Sequence, residues 1–333
     1  MTTPQAGAAS GLRAALNGIS GILVTPFDAE DRLAPAKLKP VVDRAVQAGV
    51  HVLVANGNTS EFYGLTTAEA EAAVHMAAEQ VAGRVPLLAG IGRSIGDAVA
   101  LTRASRAAGA TALMVHQPPD PFVSPRGILA YVQRVAEAGQ GLPVVLYLRN
   151  DGIGIDNIIA LCQVPGVVGV KWAAPTPLRL GELIRATRGL DIAWIGGLAE
   201  TWAPPFYAVG ARGYTSGLIN VWPAHSVAIH AALEAGDYAR AAKLIETMAA
   251  FEALRAEEQN GTNVSVVKAA LRMMARIAAR PARPPRPLTP RAEAELRQRL
   301  GEWGLLRAAA AKRPPAGAEG RFPRRPAWQN LSK

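Results

Sequence analysis

Eight short apolar segments recur along the first two thirds of the chain, and a stretch with helical spacing separates each from the next. The segments begin near positions 19, 51, 85, 112, 144, 167, 192 and 213. Strands that alternate with helices at this pitch pair in parallel through βαβ units. Eight such units predict an α/β fold of the (β/α)₈ or TIM barrel type rather than a doubly wound sheet. A dinucleotide-binding sheet would also need a GxGxxG turn after an early strand, which the sequence lacks.

We expect the chain to divide into four parts around this barrel. Residues 1–17 are interpreted as a loose lead-in, residues 18–235 as the barrel, and residues 236–306 as a C-terminal helical extension. The last part, residues 307–333, is rich in proline, glycine, alanine and arginine and has few large apolar side chains. Such a segment cannot bury a core of its own, so we predict a disordered basic tail.

The net charge of +10 invites a nucleic-acid hypothesis, but its distribution argues against one. Positions 271–333 carry 15 Lys and Arg residues against 4 Asp and Glu, whereas positions 1–270 carry 21 against 22. The barrel region is therefore nearly neutral, so we expect no nucleic-acid partner for it. A separate role of the basic tail in binding nucleic acid stays open as a rival hypothesis.

Cysteine usage and hydropathy indicate the compartment. The one cysteine, Cys162, rules out an internal disulfide and is typical of a reducing environment. No run of about 18 apolar residues predicts a transmembrane helix. The first twenty residues lack the basic start and apolar run of a signal peptide. We therefore predict a cytoplasmic protein with no membrane partner.

The stretch from Val167 to Lys171 carries the first indication of chemistry, because a β-branched apolar run ends there in a lysine. Such a run predicts a buried strand, so Lys171 should leave it at the rim of the core. Partial desolvation lowers the pKa of an ammonium group and makes a neutral, nucleophilic amine accessible. That amine can condense with a ketone to give an electron-withdrawing Schiff base. The alternative is a lysine that extends from a strand end into water.

Polar side chains also follow the other predicted strands, at the end of the barrel where active sites lie. They are Thr25, Asn58, Thr59, Ser60, Arg93, Ser94, His116, Gln117, Tyr147, Arg149, Thr215, Ser216 and Asn220. Tyr147 lies on the strand next to that of Lys171, and a phenol beside an amine can move the protons that Schiff-base chemistry requires. The exposed N–H groups of the turn around Asn58 and Thr59 are suited to a carboxylate.

Two further side chains have alternative interpretations. Arg149 is either a surface arginine or a clamp for a distal carboxylate or hydroxyl groups. His116 is a candidate acid–base group, but we favour a plain hydrogen-bonding role. The histidines are scattered and do not form an HxxxH pair, so we predict no metal site. We also predict no organic cofactor, because a lysine imine supplies its own electron sink.

These residues resemble those of the dihydrodipicolinate synthase / N-acetylneuraminate lyase family of Schiff-base class I aldolases. Gly57-Asn58-Thr59-Ser60-Glu61 resembles the family's Gly-Thr-Thr-Gly-Glu turn, which binds a carboxylate. Val168-Gly169-Val170-Lys171 resembles the family's Val-Gly-Ile-Lys, and Tyr147 ends a Val-Val-Leu-Tyr strand where the family has its catalytic tyrosine. The resemblance runs from about Gly18 to at least Asn220.

The resemblance implies a role for each matching residue. Lys171 would be the Schiff-base nucleophile and Tyr147 the proton shuttle. Asn58 and Thr59 would bind the carboxylate of a 2-oxo acid, and Thr25 would support the site near Tyr147. The resemblance also implies a homodimer or homotetramer.

Departures from the family pattern bear on the substrate. The synthase branch has a Thr-Pro-Tyr-Tyr segment whose second tyrosine crosses a subunit interface, and this chain has His116-Gln117-Pro118-Pro119 instead. The synthase arginine after the catalytic tyrosine also comes three residues later than Arg149. Glu61-Phe62-Tyr63 and Tyr147-x-Arg149 instead resemble the Gly-Glu-Phe-Phe and Tyr-Asn-Arg of the 5-dehydro-4-deoxyglucarate dehydratase branch.

We therefore predict a lyase that acts on a 2-oxo acid through a Lys171 imine, by aldol cleavage or condensation or by loss of water. A sugar-acid substrate is favoured, because Arg149, Asn58, Gln117 and Ser216 would make a polar distal pocket. The alternative enzyme is 4-hydroxy-tetrahydrodipicolinate synthase. An alternative of another class is a non-catalytic barrel that binds a 2-oxo acid.

Overall fold

A closed ring of eight parallel strands forms the centre of the computed structural model, which describes residues 11–274 and 287–306. The strands follow one another around the ring in chain order, and β1 closes it by pairing with β8. They are β1 (Ile19–Ile22), β2 (Val52–Ala55), β3 (Leu87–Ile91), β4 (Ala112–His116), β5 (Val144–Leu148), β6 (Val167–Trp172), β7 (Ala193–Gly196) and β8 (Gly213–Ser216). The predicted TIM barrel is confirmed.

Helices connect the strands and pack around the ring. They are α1 (residues 11–16), α2 (Pro35–Gln47), α3 (Thr67–Val81), α4 (Ile95–Ala107), α5 (Pro125–Gly139), α6 (Ile155–Cys162), α7 (Pro177–Ala186), α8 (Ala203–Ala208) and α9 (Pro223–Glu234). A helical extension follows with α10 (Tyr238–Asn260), α11 (Asn263–Met273) and α12 (Pro290–Glu302). None of the helices in these described parts of the chain is long and apolar enough to cross a membrane.

The strands are apolar on both sides because each side of the ring meets its own core. In β2, Val52 and Val54 join the cluster inside the barrel, whereas Leu53 and Ala55 join the layer between strands and helices. Successive side chains of a strand point to opposite faces, so a strand buried on both faces is apolar throughout. This arrangement explains why continuous apolar runs, rather than alternating ones, mark the strands in the sequence.

The lead-in differs from the sequence-based expectation. Residues 11–16, expected to be loose, form α1, and its side chains Leu12 and Leu16 are buried in the cluster inside the barrel. Leu16 packs near Gly169 of β6, and its carbonyl lies against Gly213 at the start of β8. The helix therefore closes the end of the barrel where the strands begin, and burial of two leucines stabilises it there. Residues 1–10 and the predicted tail, residues 307–333, lie outside the described part.

Candidate active site

A cavity of about 480 Å³ lies at the end of the barrel where the strands finish. Lys171, Tyr147, Arg149, Asn58 and Thr59 all line it. These residues come from β5, β6 and the turn after β2, which are far apart in sequence. The volume is in the range of sites for small organic ligands. Five of the residues predicted to form the site are therefore brought together.

Parallel pairing sets the spacing of the central groups. His116, Tyr147 and Lys171 are register partners across the neighbouring strands β4, β5 and β6. The Lys171 Nζ atom lies 3.9 Å from the centre of the Tyr147 ring, and the His116 and Tyr147 ring centres are 4.9 Å apart. An amine and a phenol therefore meet in one row, with an imidazole on the far side of the phenol.

Burial changes the protonation of the Lys171 amine. The residue is only 4% exposed, and desolvation, with a smaller effect from the charge of Arg149, lowers its pKa to about 7. Both effects disfavour the ammonium form. A substantial fraction of Lys171 is therefore neutral, and hence nucleophilic, at neutral pH.

The Tyr147 hydroxyl is held as a proton donor. Asn58 donates its side-chain N–H to the Tyr147 hydroxyl oxygen over 2.8 Å, which leaves the phenolic proton available for another acceptor. Burial raises the pKa of Tyr147 to about 12, so the phenol stays protonated near neutral pH. His116 is the contrasting case. Burial and the nearby charge of Lys171 lower its pKa to about 3, which leaves a neutral ring that hydrogen-bonds the Tyr63 hydroxyl at 3.1 Å.

The turn after β2 is held in shape by its own backbone. The Ser60 and Phe62 N–H groups donate to the Gly57 carbonyl, and the Glu61 N–H donates to the Asn58 carbonyl. These bonds do not use the N–H groups of Asn58 and Thr59, the two turn residues predicted to bind a carboxylate. Gly57 is required sterically, because a Cβ atom there would lie 2.5 Å from the Ile22 side chain.

Thr25 supports this turn, whose residue Asn58 hydrogen-bonds the Tyr147 hydroxyl. Its hydroxyl donates to the Ser60 carbonyl over 2.7 Å, and the residue is buried away from the cavity lining. Asn220 contributes to the same support by accepting a bond from the Val24 N–H and donating to the Ile22 carbonyl. The Leu23 N–H after β1 still donates to the Val54 carbonyl of β2, and the side chains of Thr25 and Asn220 hold the chain on either side of it.

Ser216 and Gln117 were expected in the distal pocket, and neither lines the cavity that contains Lys171, although Gln117 lines a neighbouring cavity together with Arg149. Ser216 is fully buried, and its hydroxyl donates to the carboxyl group of Glu200, which Ser226 also contacts. Gln117 accepts bonds from the backbone N–H groups of Arg149 and the following residue, and so shapes the loop after β5. A position at a strand end does not by itself show which way a side chain points, and a role of either residue in binding substrate stays a prediction.

Charged residues from the helical extension also reach the mouth of the barrel, and sequence reasoning missed them. Lys268 of α11 forms a buried ion pair with Glu61 of the turn after β2, and both side chains are only 2% exposed. Glu252 and Arg255 of α10 form a second pair, and both line the cavity. The available signal was weak: a lysine within the apolar run Val266–Leu271, and opposite charges three residues apart on a helix.

Comparison with known proteins places this geometry in context. A sequence model of the "Dihydrodipicolinate synthetase family" matches residues 15–302. A 4-hydroxy-tetrahydrodipicolinate synthase from Methanoculleus marisnigri is 32% identical over 231 residues, which are 67% of this chain and 78% of the relative. A probable 5-dehydro-4-deoxyglucarate dehydratase from Rhizobium rhizogenes is 31% identical over 289 residues, which are 85% of this chain and 94% of the relative.

Solved structures agree with the sequence relatives. The crystal structure of dihydrodipicolinate synthase from Bacillus clausii superposes with a TM-score of 0.84 at 36% identity. The match covers 88% of this chain and 99% of that protein. The fold, including much of the helical extension, is therefore shared over nearly the whole length of that enzyme.

Removing one partner of the buried Glu61–Lys268 pair should cost far more stability than breaking a surface pair. Replacing Lys268→Met leaves the Glu61 carboxylate buried without its cation, so we expect a loss of about 3–5 kcal/mol in the free energy of unfolding. The double variant Lys268→Met/Glu61→Gln should recover much of that loss. Arg291→Met, which breaks exposed pairs with Glu257 and Glu295, is the control and should cost less than about 1 kcal/mol. Denaturant unfolding measures the free energy of unfolding of the three variants. Equal losses of stability for Lys268→Met and for the control would contradict a buried ion pair between Lys268 and Glu61.

The depressed pKa of Lys171 predicts a pH dependence. Since the neutral amine is the nucleophile, imine formation with pyruvate should rise about tenfold per pH unit below pH 7 and level off above it. Trapping with cyanoborohydride at pH 5.5–9 measures the rate. Arg149→Met should move the midpoint upward, because the arginine charge helps to lower the pKa, whereas Arg134→Met on the exposed face of α5 should not. A rate that keeps rising to pH 9 would show that Lys171 titrates like an exposed lysine.

Proposed function

This chain belongs to the dihydrodipicolinate synthetase family and is a lyase of that family, and we propose that it acts on a 2-oxo sugar acid through a Schiff base on Lys171. The observation that carries the proposal is a buried amine with a pKa of about 7 beside a protonated phenol in a cavity of suitable size. The family supplies the reaction class. The assignment of roles to residues rests on the geometry of this chain.

The proposed reaction begins with the neutral Lys171 amine, which attacks the C2 carbonyl carbon of the substrate. Tyr147 gives its phenolic proton to the resulting carbinolamine hydroxyl, which leaves as water, and the C2=N imine forms. Because the cationic nitrogen accepts electrons, C3 can lose a proton to the Tyr147 phenolate left by the first step, and an enamine forms. Tyr147 then returns that proton to the C4 hydroxyl, which leaves as water. In the alternative cleavage, the phenolate takes the C4 hydroxyl proton, the C3–C4 bond breaks to give an aldehyde and an enamine, and Tyr147 protonates the enamine at C3. Hydrolysis of the imine restores Lys171.

Substrate orientation follows from the groups on either side of the amine. The C1 carboxylate would accept bonds from the turn residues Asn58 and Thr59, which lie in the cavity beside Tyr147. Arg149 is exposed at the mouth and would hold polar groups or a second carboxylate at the distal end. Dehydration is the favoured outcome, since the Tyr147-x-Arg149 and Glu61-Phe62-Tyr63 patterns are those of the dehydratase branch and several relatives carry that name.

Synthesis of 4-hydroxy-tetrahydrodipicolinate is the second candidate, supported by the Methanoculleus relative and by the solved synthases. The same imine with pyruvate would serve that reaction. The chain lacks tyrosine in the segment His116–Pro119, where the synthase branch has two, which favours the dehydratase proposal. A barrel that only binds 2-oxo acids is the remaining alternative, and the depressed pKa of Lys171 argues against it.

Reductive trapping tests the proposal directly. Borohydride reduction in the presence of pyruvate should add the mass of the reduced adduct to the peptide that contains Lys171, and Lys171→Ala should show no adduct. Tyr147→Phe should still bind pyruvate but form the adduct at least ~100-fold more slowly, because it lacks the proton donor. Incubation with 3-deoxy-2-oxo sugar acids, followed by mass spectrometry, should reveal a product lighter by one water. If the folded protein forms no adduct with any 2-oxo acid, the Schiff-base proposal is contradicted. A barrel that only binds 2-oxo acids then remains.

We further propose a cytoplasmic homodimer or homotetramer that needs no cofactor and has no membrane partner. Support for the cytoplasm as the compartment comes from Cys162, which is buried and is not in a disulfide.

Support for assembly comes from the segment after β4, where Phe122 is 92% exposed next to Pro121 and offers apolar surface to another copy. Sedimentation velocity should give a species of at least twice the chain mass, and Phe122→Asp should shift it toward the monomer. A monomer at all concentrations would contradict the assembly.

A further inference from the structure

Part of the wall of the catalytic cavity comes from outside the barrel. The cavity that contains Lys171 is also lined by Glu252 and Arg255 of α10, by Gln259 and Asn260 in the bend at the end of that helix, and by Asn263 at the start of α11. We call these five residues the distal wall. The family motifs lie on the strand ends and the turn after β2, so the proposed reaction leaves the distal wall without an assigned role.

Arg255 is the fixed centre of the distal wall. Its side chain is only 5% exposed, and it donates to the Glu252 carboxylate and, over 2.9 Å, to the side-chain oxygen of Asn263. Its Nε–H group is buried and has no hydrogen-bond partner within the described residues. The guanidinium also packs against Gly217 after β8, where a Cβ atom would lie 2.3 Å from Arg255 Nη2. Only glycine lets the arginine occupy this place.

The backbone of the distal wall is strained, which points to a use. Glu258, Gln259 and Asn260 have φ angles of 52°, 57° and 68°, so three successive residues other than glycine are left-handed. Such conformations are costly and persist where the surroundings hold them. Here the Thr262 hydroxyl contacts the Leu254 carbonyl at 2.6 Å and the Glu257 carbonyl at 3.1 Å, and so fixes both ends of the bend. The strain places two amide side chains, Gln259 and Asn260, at the cavity.

The charges of the distal wall favour a neutral polar ligand over an anion. Arg255 is already paired with Glu252, so a second carboxylate placed against it would also meet a negative charge. Carboxylate, guanidinium and amide groups together present both acceptors and donors. A hydroxyl group is both a donor and an acceptor, and it therefore matches such a surface better than a carboxylate does. A cation that an anion in this cavity could meet, Arg149, comes instead from the strand end after β5.

We propose that the distal wall recognises hydroxyl groups on the substrate chain beyond C3, and so selects polyhydroxylated 2-oxo acids over alkyl 2-oxo acids of the same length. This inference rests on the proposed function, since it concerns the same substrate. The inference assigns substrate specificity to the helical extension, which contributes none of the reacting groups. A site that hydrogen-bonds a hydroxyl rejects the analogue without it, because the buried polar groups would then remain unpaired.

Half-saturation concentrations for reductive trapping test the inference with three acids: pyruvate, 2-oxohexanoate and a 3-deoxy-2-oxo hexonic acid. The unaltered protein should bind the hydroxylated acid more tightly than 2-oxohexanoate. Asn263→Ala and the charge-neutral double variant Arg255→Met/Glu252→Gln should raise the half-saturation concentration for the hydroxylated acid by ~10- to 100-fold. Values for pyruvate and 2-oxohexanoate should stay unchanged, because neither carries a distal hydroxyl.

Arg240→Met, on an exposed turn of the same helix, is the matched control and should alter none of the values. The double variant avoids an unpaired buried charge, and circular dichroism checks that each variant is folded. An equal rise in the half-saturation concentrations of all three acids would indicate a purely structural role and overturn the inference. An unchanged preference for the hydroxylated acid in both distal-wall variants would also overturn it. Absence of a pyruvate adduct in the unaltered protein would instead refute the Schiff-base proposal, so the two failures are distinguishable.

Discussion

Closure of the strand ring is the constraint on which the rest of this protein depends. Pairing of β1 with β8 leaves no open sheet edge, and parallel pairing brings every carboxyl-terminal strand end to one rim. Register then fixes which side chains are neighbours. His116, Tyr147 and Lys171 are 24 to 55 positions apart in sequence, yet they stand in one row because β4, β5 and β6 pair at those residues.

Desolvation acts on this row in a single direction. Burial lowers the pKa of Lys171 to about 7 and that of His116 to about 3, and it raises the pKa of Tyr147 to about 12. In each case the neutral form is favoured, because a low-dielectric interior disfavours charge. The same effect therefore produces a nucleophilic amine, a protonated phenol and an uncharged imidazole. The neutral amine and the protonated phenol are the forms that imine chemistry on a ketone would use.

Two buried ion pairs involve the helical extension near the mouth, and one of them joins the extension to the barrel. Lys268 of α11 meets Glu61 of the turn after β2, and Arg255 of α10 meets Glu252 beside the cavity. Buried pairs of this kind often add little net stability, since desolvation offsets their attraction, but they specify one arrangement of the parts. The extension is thereby placed where it completes the cavity wall.

The sequence by itself determined the barrel and its central residues. Eight apolar runs predict eight buried strands. Local patterns also indicate Lys171, Tyr147 and the turn at Asn58 and Thr59 as site residues, because strand ends and turns are short-range features of the sequence. Only the tertiary structure decided which neighbouring polar groups reach the cavity. Thr25 and Ser216 turn away to support the backbone and Glu200, whereas Arg255 and Lys268 arrive from helices far along the chain. The physical reason is that side-chain direction and long-range packing depend on the closed ring, which no local stretch of sequence contains.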